Sequence, residues 1–292
     1  MQHLPDQSPR HMRRHGILLA STGVLVLSVD SLLIRLAATD GWTILFWRGL
    51  FMLIALSLAA WLKDRRTGLI GFAEPLTWLI ALLFCLSTAA FVLSIMLTRV
   101  ANTVVLISAG PLFAALFSTW LLKEKIPLRT WLAIAGACAG VLIVCSNSLG
   151  EGNLGGDLLA LGNAVVMGAS MTLLRKHQAV SRSLILAASG ALLALLAVPL
   201  ADPLFPPLAS MWILALMGLV QMPLSLVLLT DATRYLPAPE VSLFLLLETL
   251  LAPVWVWLLL SETVPEATLV GGGLIVVALL VHTLLGLRGY DG

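Results

Sequence analysis

The chain consists almost entirely of apolar stretches, each about as long as a helix that crosses a bilayer. Such a helix needs about 20 mostly apolar residues to cross roughly 30 Å of hydrocarbon. Their connections are short and contain the glycine, proline and charged residues expected at helix ends. The sequence therefore predicts an all-α integral membrane protein with ten transmembrane helices. The candidate spans are residues 16–37, 42–62, 75–97, 103–122, 129–146, 157–175, 183–201, 210–233, 240–260 and 267–287.

Composition excludes a water-soluble domain. Of the 292 residues, 60% are hydrophobic and 11% are charged, whereas soluble domains average about 45–50% apolar and about 25% charged residues. The formal net charge of +2 and the absence of a basic block with interleaved aromatics exclude a nucleic-acid partner. We expect a lipid bilayer and a small-molecule substrate as the partners.

Catalytic and metal-binding motifs are missing from the sequence. It contains no GxxxxGK[ST], HExxH or GxSxG pattern. Cys85, Cys138 and Cys145 lie singly in apolar runs, where we expect small buried side chains rather than metal ligands. The first apolar run is interrupted by Asp30 and Arg35 and has no cleavage site, so it predicts a retained span rather than a signal peptide. We therefore predict no catalytic residue, no metal and no cofactor.

Basic residues alternate from loop to loop. If the N-terminus is cytoplasmic, most of the 17 lysines and arginines fall on the inner side. The outer loops at Glu151–Asp157, Asp202 and Glu262–Glu266 then contain no Lys or Arg. This distribution follows the positive-inside rule. It predicts ten spans with both termini in the cytoplasm.

The two halves of the chain repeat each other. Leu121–Pro127 recurs about 138 residues later as Leu259–Pro265, and Leu33–Arg35 recurs as Leu173–Arg175. Since each half has an odd number of spans, the second copy must enter the membrane from the opposite side. Inverted repeats of this kind are typical of secondary transporters with a central cavity. We predict a cytoplasmic tail at 1–15, a five-helix repeat at 16–146, an outer loop at 147–156, a second five-helix repeat at 157–287 and a cytoplasmic tail at 288–292.

Several segments resemble the EamA group of the drug/metabolite transporter superfamily. These segments are Gly156–Leu161 with Leu174–Lys176, Arg234–Ala238, Trp257–Glu262, and Gly110–Ala115 followed by Glu124. Within the superfamily, Arg99–Ile107 followed by Pro111–Phe113 is similar to the YddG-type aromatic amino-acid exporters. The resemblance covers almost the whole chain.

The resemblance implies ten helices, a central substrate cavity and export of aromatic or neutral amino acids and related metabolites. It also implies the bacterial inner (plasma) membrane. One motif departs from the family pattern, because Leu-Glu-Pro of the ninth helix reads Leu247-Glu248-Thr249 here. Any kink shifts toward Pro253, one turn later.

Charged residues inside a bilayer are costly and therefore candidates for function. Asp30 and Arg48 lie at similar depths on neighbouring helices, so we expect them to form a pair. The pair either neutralises two buried charges or serves as an outer gate or substrate-carboxylate contact. Glu248, near mid-membrane, either binds a substrate ammonium or a coupling proton, or is a structural acid.

Polar and aromatic side chains share faces on several helices. They either line a cavity for a zwitterion with an apolar side chain or serve helix packing. The predicted substrate-binding residues are Ser28, Ser87, Phe91, Ser94, Asn163, Met167, Gln221, Ser225, Glu248 and Thr249. Pro111, Pro223 and Pro253 are candidate hinges or static kinks. Gly136 and Gly140 in the fifth span, and Gly271, Gly272 and Gly273 in the tenth, permit close helix approach, and we expect packing between the repeats rather than a dimer face. We expect a monomer, with a dimer left open.

Alternating access in an amino-acid exporter is the function that these features favour. A drug or other-metabolite carrier of the same fold is the first alternative. An intramembrane enzyme on lipid-linked substrates would need clustered acid, base or metal-binding residues at one depth, which the sequence lacks. A membrane scaffold would need neither inverted repeats nor polar interior faces.

Overall fold

The described part of the chain is a bundle of helices. The computed structural model describes residues 9–63, 74–122, 132, 135–136, 138–144, 146, 153–176, 182–232, 235 and 238–288. The helices are α1 (Pro9–Ser28), α2 (Asp30–Leu36), α3 (Gly41–Lys63), α4 (Pro75–Leu97), α5 (Val100–Ile107), α6 (Gly110–Leu122), α7 (138–144), α8 (Leu154–Lys176), α9 (Arg182–Ala197), α10 (Leu208–Ala215), a π-helical turn (Leu216–Gln221), α11 (Met222–Ala232), α12 (Ala238–Leu260) and α13 (Glu266–Arg288).

Within the described ranges, six helical stretches are long and apolar enough to cross a membrane. They are Arg14–Leu36, Gly41–Trp61, Pro75–Leu97, Val100–Leu121, Leu154–Leu173 and Leu208–Leu229. Three shorter apolar helices are Ser183–Ala197, Leu247–Leu260 and Glu266–Ala278. The chain is therefore a multi-pass membrane protein. Much of the fifth predicted span, both chain ends and most of the predicted inner loops lie outside the described residues.

Exposed tryptophans mark the two ends of the bundle. We call the end with Asp40, Asp157, Asp202 and Glu262 the acidic end, and the opposite end the basic end. Trp212 and Trp257 lie near the acidic end; Trp61, Trp78 and Trp120 lie near the basic end, and all five are exposed. Two such belts are typical of proteins whose indole rings sit at the headgroup level of each leaflet.

Three of the predicted spans are interrupted rather than continuous. The first divides at Val29, the fourth at residues 108–109, and the eighth passes through the π turn. The π turn ends two residues before Pro223. Proline has no N–H and its ring clashes with the carbonyl four residues earlier, so a wider turn at this place relieves the clash. Pro111 lies in the first turn of α6, where a missing N–H costs nothing. Pro253, in contrast, lies inside a continuous α12.

Two sequence predictions need correction. The seventh span was expected to reach residue 201, but α9 ends at Ala197, because Val198 precedes Pro199 and the residue before a proline disfavours helix. The expectation that every cysteine is buried is wrong for Cys138, which is exposed, although Cys85 is buried. A thiol is apolar enough for a lipid-facing position, and Cys145 lies outside the described residues.

The halves of the chain pack mainly against each other. Among the described helices, the most extensive contacts are α3 with α9, α4 with α8 and α1 with α11. In the repeat, α1 and α2 correspond to α8, and α4 corresponds to α10 and α11. If each helix of the α4–α8 contact is replaced by its counterpart in the other repeat, the result is the α1–α11 contact. The packing repeats as the sequence does.

Two glycine pairs allow helices from different halves to touch through their backbones. A Cβ atom on Gly49 would lie 2.6 Å from the Gly190 carbonyl oxygen, and one on Gly190 would lie 2.7 Å from that of Gly49. Gly140 and Gly271 face each other in the same way, at 2.5 and 2.6 Å. The predicted packing between the halves is thus confirmed for Gly140 and Gly271. Gly136 and Gly272 also lie against the other half, whereas a Cβ atom on Gly273 would meet nothing within 4 Å.

We expect Gly49→Ala to lower the unfolding free energy by about 1–3 kcal/mol, because the added methyl forces α3 and α9 apart. Thermal unfolding in detergent measures the effect. Gly273→Ala is the matched control, since a Cβ atom there meets nothing within 4 Å and alanine favours a helix by about 1 kcal/mol. Equal unfolding temperatures for Gly49→Ala and the parent would contradict the close contact.

Candidate functional site

A fully buried ion pair joins α2 and α3. Arg48 Nη1 on α3 donates to Asp30 Oδ2 at 2.9 Å and to Asp30 Oδ1 at 3.1 Å. The two side chains are 1% and 2% exposed. Asp30 reaches this position as the first residue of α2, directly after the break at Val29. The contact predicted from the sequence is present; its role in gating or binding stays a prediction.

Glu248 brings a second carboxylate to this pair. It is partly buried on α12, which packs against α1 and α2, and the charge of Asp30 acts on it. Among the described residues, the Glu248 carboxylate has no hydrogen-bond partner. Two carboxylates and one guanidinium leave one negative charge unbalanced when both acids are ionised. The group can therefore take up one positive charge, as a proton or an ammonium.

Three predicted site residues meet between α4 and α8. Ser87 Oγ donates to Asn163 Oδ1 at 2.5 Å and lies 3.8 Å from Met167 Sδ. Phe91 follows one turn along α4 and packs against the central apolar cluster. Because Ser87 and Asn163 bind each other, at least part of their polar capacity serves the contact between the helices.

The other predicted polar residues are also bonded within the protein. Ser94 and Thr103 share a hydrogen bond of 2.7 Å between α4 and α5. Ser28 accepts one from the Trp255 indole at 3.0 Å. Ser225 donates to the Met222 carbonyl oxygen, and Gln221 Nε2 donates to that of Val26. Thr249 is 8% exposed beside Glu248. Their part in substrate binding stays a prediction, since these contacts equally serve packing.

The family model described as the EamA-like transporter family matches residues 14–146 and again residues 154–284. The chain belongs to this family. It is a membrane transporter of the drug/metabolite type, with two EamA repeats, and EamA proteins are in general not enzymes. No group of three His, Cys, Asp or Glu side chains that could hold a metal occurs in the described part of the chain.

Solved protein structures are similar to this EamA chain, and one of them matches it over nearly its whole length. The TM-score is 0.65 at 20% sequence identity, and the match covers 94% of this chain and 98% of the other. At that identity the likeness shows the fold alone. No curated protein matches the sequence.

The two EamA repeats are packed differently at the two ends of the bundle. Toward the acidic end, α12 of the second repeat packs against α5 of the first. No comparable packing of α12 on α6, the basic-end part of the same span, is found among the described residues. Among the described residues, α12 therefore contacts the predicted fourth span, which comprises α5 and α6, at the acidic end.

Sequence reasoning missed several polar contacts between the repeats. Asn102 and Thr268 form a hydrogen bond between α5 and α13, and Thr98 bonds Asp157. Trp47 on α3 donates its indole N–H to the Leu204 carbonyl oxygen at 2.8 Å. A helical period predicts which face a residue occupies but not its partner on another helix, so no signal in one sequence would have paired these residues.

Proposed function

We propose that this EamA-like transporter exports amino acids, aromatic or neutral, by alternating access through ten helices arranged as two inverted repeats. The observation that carries the proposal is the unpaired Glu248 carboxylate beside the buried Asp30–Arg48 pair. An α-ammonium group supplies the positive charge that this group can accept. A proton occupies the same place when no substrate is bound.

The zwitterionic form of an amino acid suits the neighbouring groups. Arg48 Nε has no hydrogen-bond partner among the described residues. It can therefore donate to a substrate carboxylate, which then shares the Arg48 guanidinium with Asp30. Phe91 and Met167 offer apolar surface for the substrate side chain, and Ser87 and Asn163 offer hydrogen bonds beside it. Recognition of both charged ends distinguishes an amino acid from a simple cation.

Alternating access and inverted topology are supported by the packing. Contacts between helices repeat when the halves are exchanged, and the glycine pairs Gly49–Gly190 and Gly140–Gly271 let the halves slide without side chains between them. We propose that the halves rock about these contacts. Pro111 and Pro223 adjoin the helix interruptions and are the proposed hinges, together with Pro253.

The charge alternation supports an orientation in the bacterial inner membrane with both termini cytoplasmic and the acidic end outside. In this orientation the acidic-end contact between α5 and α12 closes the outer side. The conformation described here would then receive its substrate from the cytoplasm. The chain as a monomer contains both repeats that the cavity needs.

Counterflow in proteoliposomes tests the proposed function. Purified protein is loaded with unlabelled phenylalanine, and uptake of labelled amino acids is followed with and without a pH gradient. We expect saturable uptake that excess amino acid on the same side inhibits. Flux of a cationic drug without flux of any amino acid would identify the alternative substrate class. The absence of both, against protein-free liposomes, would contradict a carrier of either kind.

A further inference from the structure

A polar network joins the helix ends at the acidic end. Arg35 Nη2 on α2 lies 3.5 Å from Glu262 Oε2 and donates to the Thr98 carbonyl oxygen at 2.8 Å. The other oxygen of Glu262, Oε1, accepts a hydrogen bond of 2.8 Å from the N–H of Val100, the first residue of α5. One carboxylate thus binds both an arginine and a helix N-terminus, where a negative charge is favoured.

A second bridge fixes the start of α8 to the same place. Thr98 Oγ1, at the end of α4, donates to Asp157 Oδ1 at 2.9 Å. Gly156 lies so close to Thr98 that a Cβ atom there would be 2.9 Å from the Thr98 nitrogen. The short link between α4 and α5 is therefore held from two sides, by Glu262 and by Asp157.

The bridges cross between the repeats. Arg35, Thr98 and Val100 belong to the first EamA repeat, and Asp157 and Glu262 belong to the second. Any motion that separates the repeats at this end must break the contacts of Glu262 with Arg35 and Val100. Glu262 lines a small space together with Val256 and Ala101, and the last two are buried, at 1% and 4% exposed.

The charged side chains of this network are partly exposed, as a contact that opens and closes requires. The Arg35 and Glu262 side chains are 25% and 23% exposed, whereas Arg48 and Asp30 are almost fully buried. Water can solvate the first two charges when they part, so their separation is far less costly than that of the buried pair. The acidic-end network can open within a transport cycle, and the buried pair would have to stay together or be released by substrate.

We propose that Arg35 and Glu262, with Thr98, Val100 and Asp157, form a latch that holds the acidic end of the transporter closed. This inference rests on the alternating-access part of the proposed function. Removing either charge shifts the population toward the state that is open at the acidic end.

Labelling of a cysteine in the space that Glu262 lines tests this proposal. Val256→Cys is introduced after the three native cysteines are replaced by alanine, and a hydrophilic maleimide is added to the purified protein in detergent. We expect Glu262→Gln and Arg35→Gln each to raise the initial labelling rate about threefold to tenfold, the range for a part-exposed ion pair with one charged hydrogen bond. Arg35→Lys, which keeps the positive charge beside Glu262, is expected to label more slowly than Arg35→Gln.

The matched control is Glu266→Gln, an exposed acid in the first turn of α13, which is expected to leave the rate unchanged. If Val256→Cys fails to fold, Ala101→Cys reports from the opposite wall of the same space. Unchanged labelling in both Glu262→Gln and Arg35→Gln overturns the latch. Counterflow of the same variants distinguishes the two proposals. Flux with no change in the labelling rate would contradict the latch but not the proposed function. A change in the labelling rate without flux of any substrate would contradict the proposed function but not the latch.

Discussion

Replacing Asp30 by Asn is expected to lower the unfolding free energy by about 3–5 kcal/mol, because it leaves the Arg48 guanidinium buried without a counter-charge. Arg48→Gln is expected to cost less. A carboxylate left alone can be neutralised by a proton, whereas a guanidinium cannot. Thermal unfolding in detergent measures both effects.

The double variant Asp30→Asn with Arg48→Gln provides the control for this pair. Neither side chain is then charged, so we expect most of the lost stability to return. Arg35→Gln serves as a second control at a part-exposed arginine and is expected to cost about 1 kcal/mol or less. Losses that simply add in the double variant would mean that Asp30 and Arg48 do not stabilise each other.

Glu248→Gln is expected to reduce amino-acid counterflow by about tenfold or more. The carboxylate is the proposed partner of the substrate ammonium, and a hydrogen bond to a charged group contributes about 1.5–3 kcal/mol. We also expect transport by the variant to depend much less on pH, because a glutamine side chain does not titrate. The measurement is counterflow between pH 6 and pH 8, values chosen to be about one unit either side of neutrality.

Unfolding of the same variant separates a transport role from a structural one. Glutamine has nearly the shape of glutamate, and Glu248 has no hydrogen-bond partner among the described residues. The unfolding temperature should therefore change little while transport falls. Glu266→Gln should affect neither property. If Glu248→Gln transports at the parent rate with the parent pH dependence, Glu248 carries neither the ammonium nor a proton.

Features with a strong local signal could be predicted from the sequence. The span 75–97 contains no charged residue and coincides with α4, because a long run of mostly apolar residues is a strong signal for a membrane-spanning helix. The Asp30–Arg48 contact could be predicted because a short connection places two costly charges at one depth. Packing between the repeats could be predicted for the glycines of the fifth and tenth spans because their small size permits close approach, although their individual partners could not.

Features that depend on distant partners could not be predicted. The break at Val29 has no proline nearby and places Asp30 at the start of a new helix. The bond between Ser87 and Asn163 joins residues 76 positions apart, and the helical period gave only their faces. The Arg35–Glu262 contact lies at helix ends, where the positive-inside rule assigns a side but not a neighbour.

The contact between α3 and α9 bears on how the protein is made. Its partners are separated by the whole region between Gly49 and Gly190, so early helices enter the membrane before the surfaces that complete them exist. Until then, the helices of the first half must be stable in the bilayer as individual spans, and the surface of α3 around Gly49 has no partner. Assembly then completes late in biosynthesis, when α9 has emerged. Truncated chains would expose that surface to membrane quality control, and co-expression of the two halves would be expected to stabilise both.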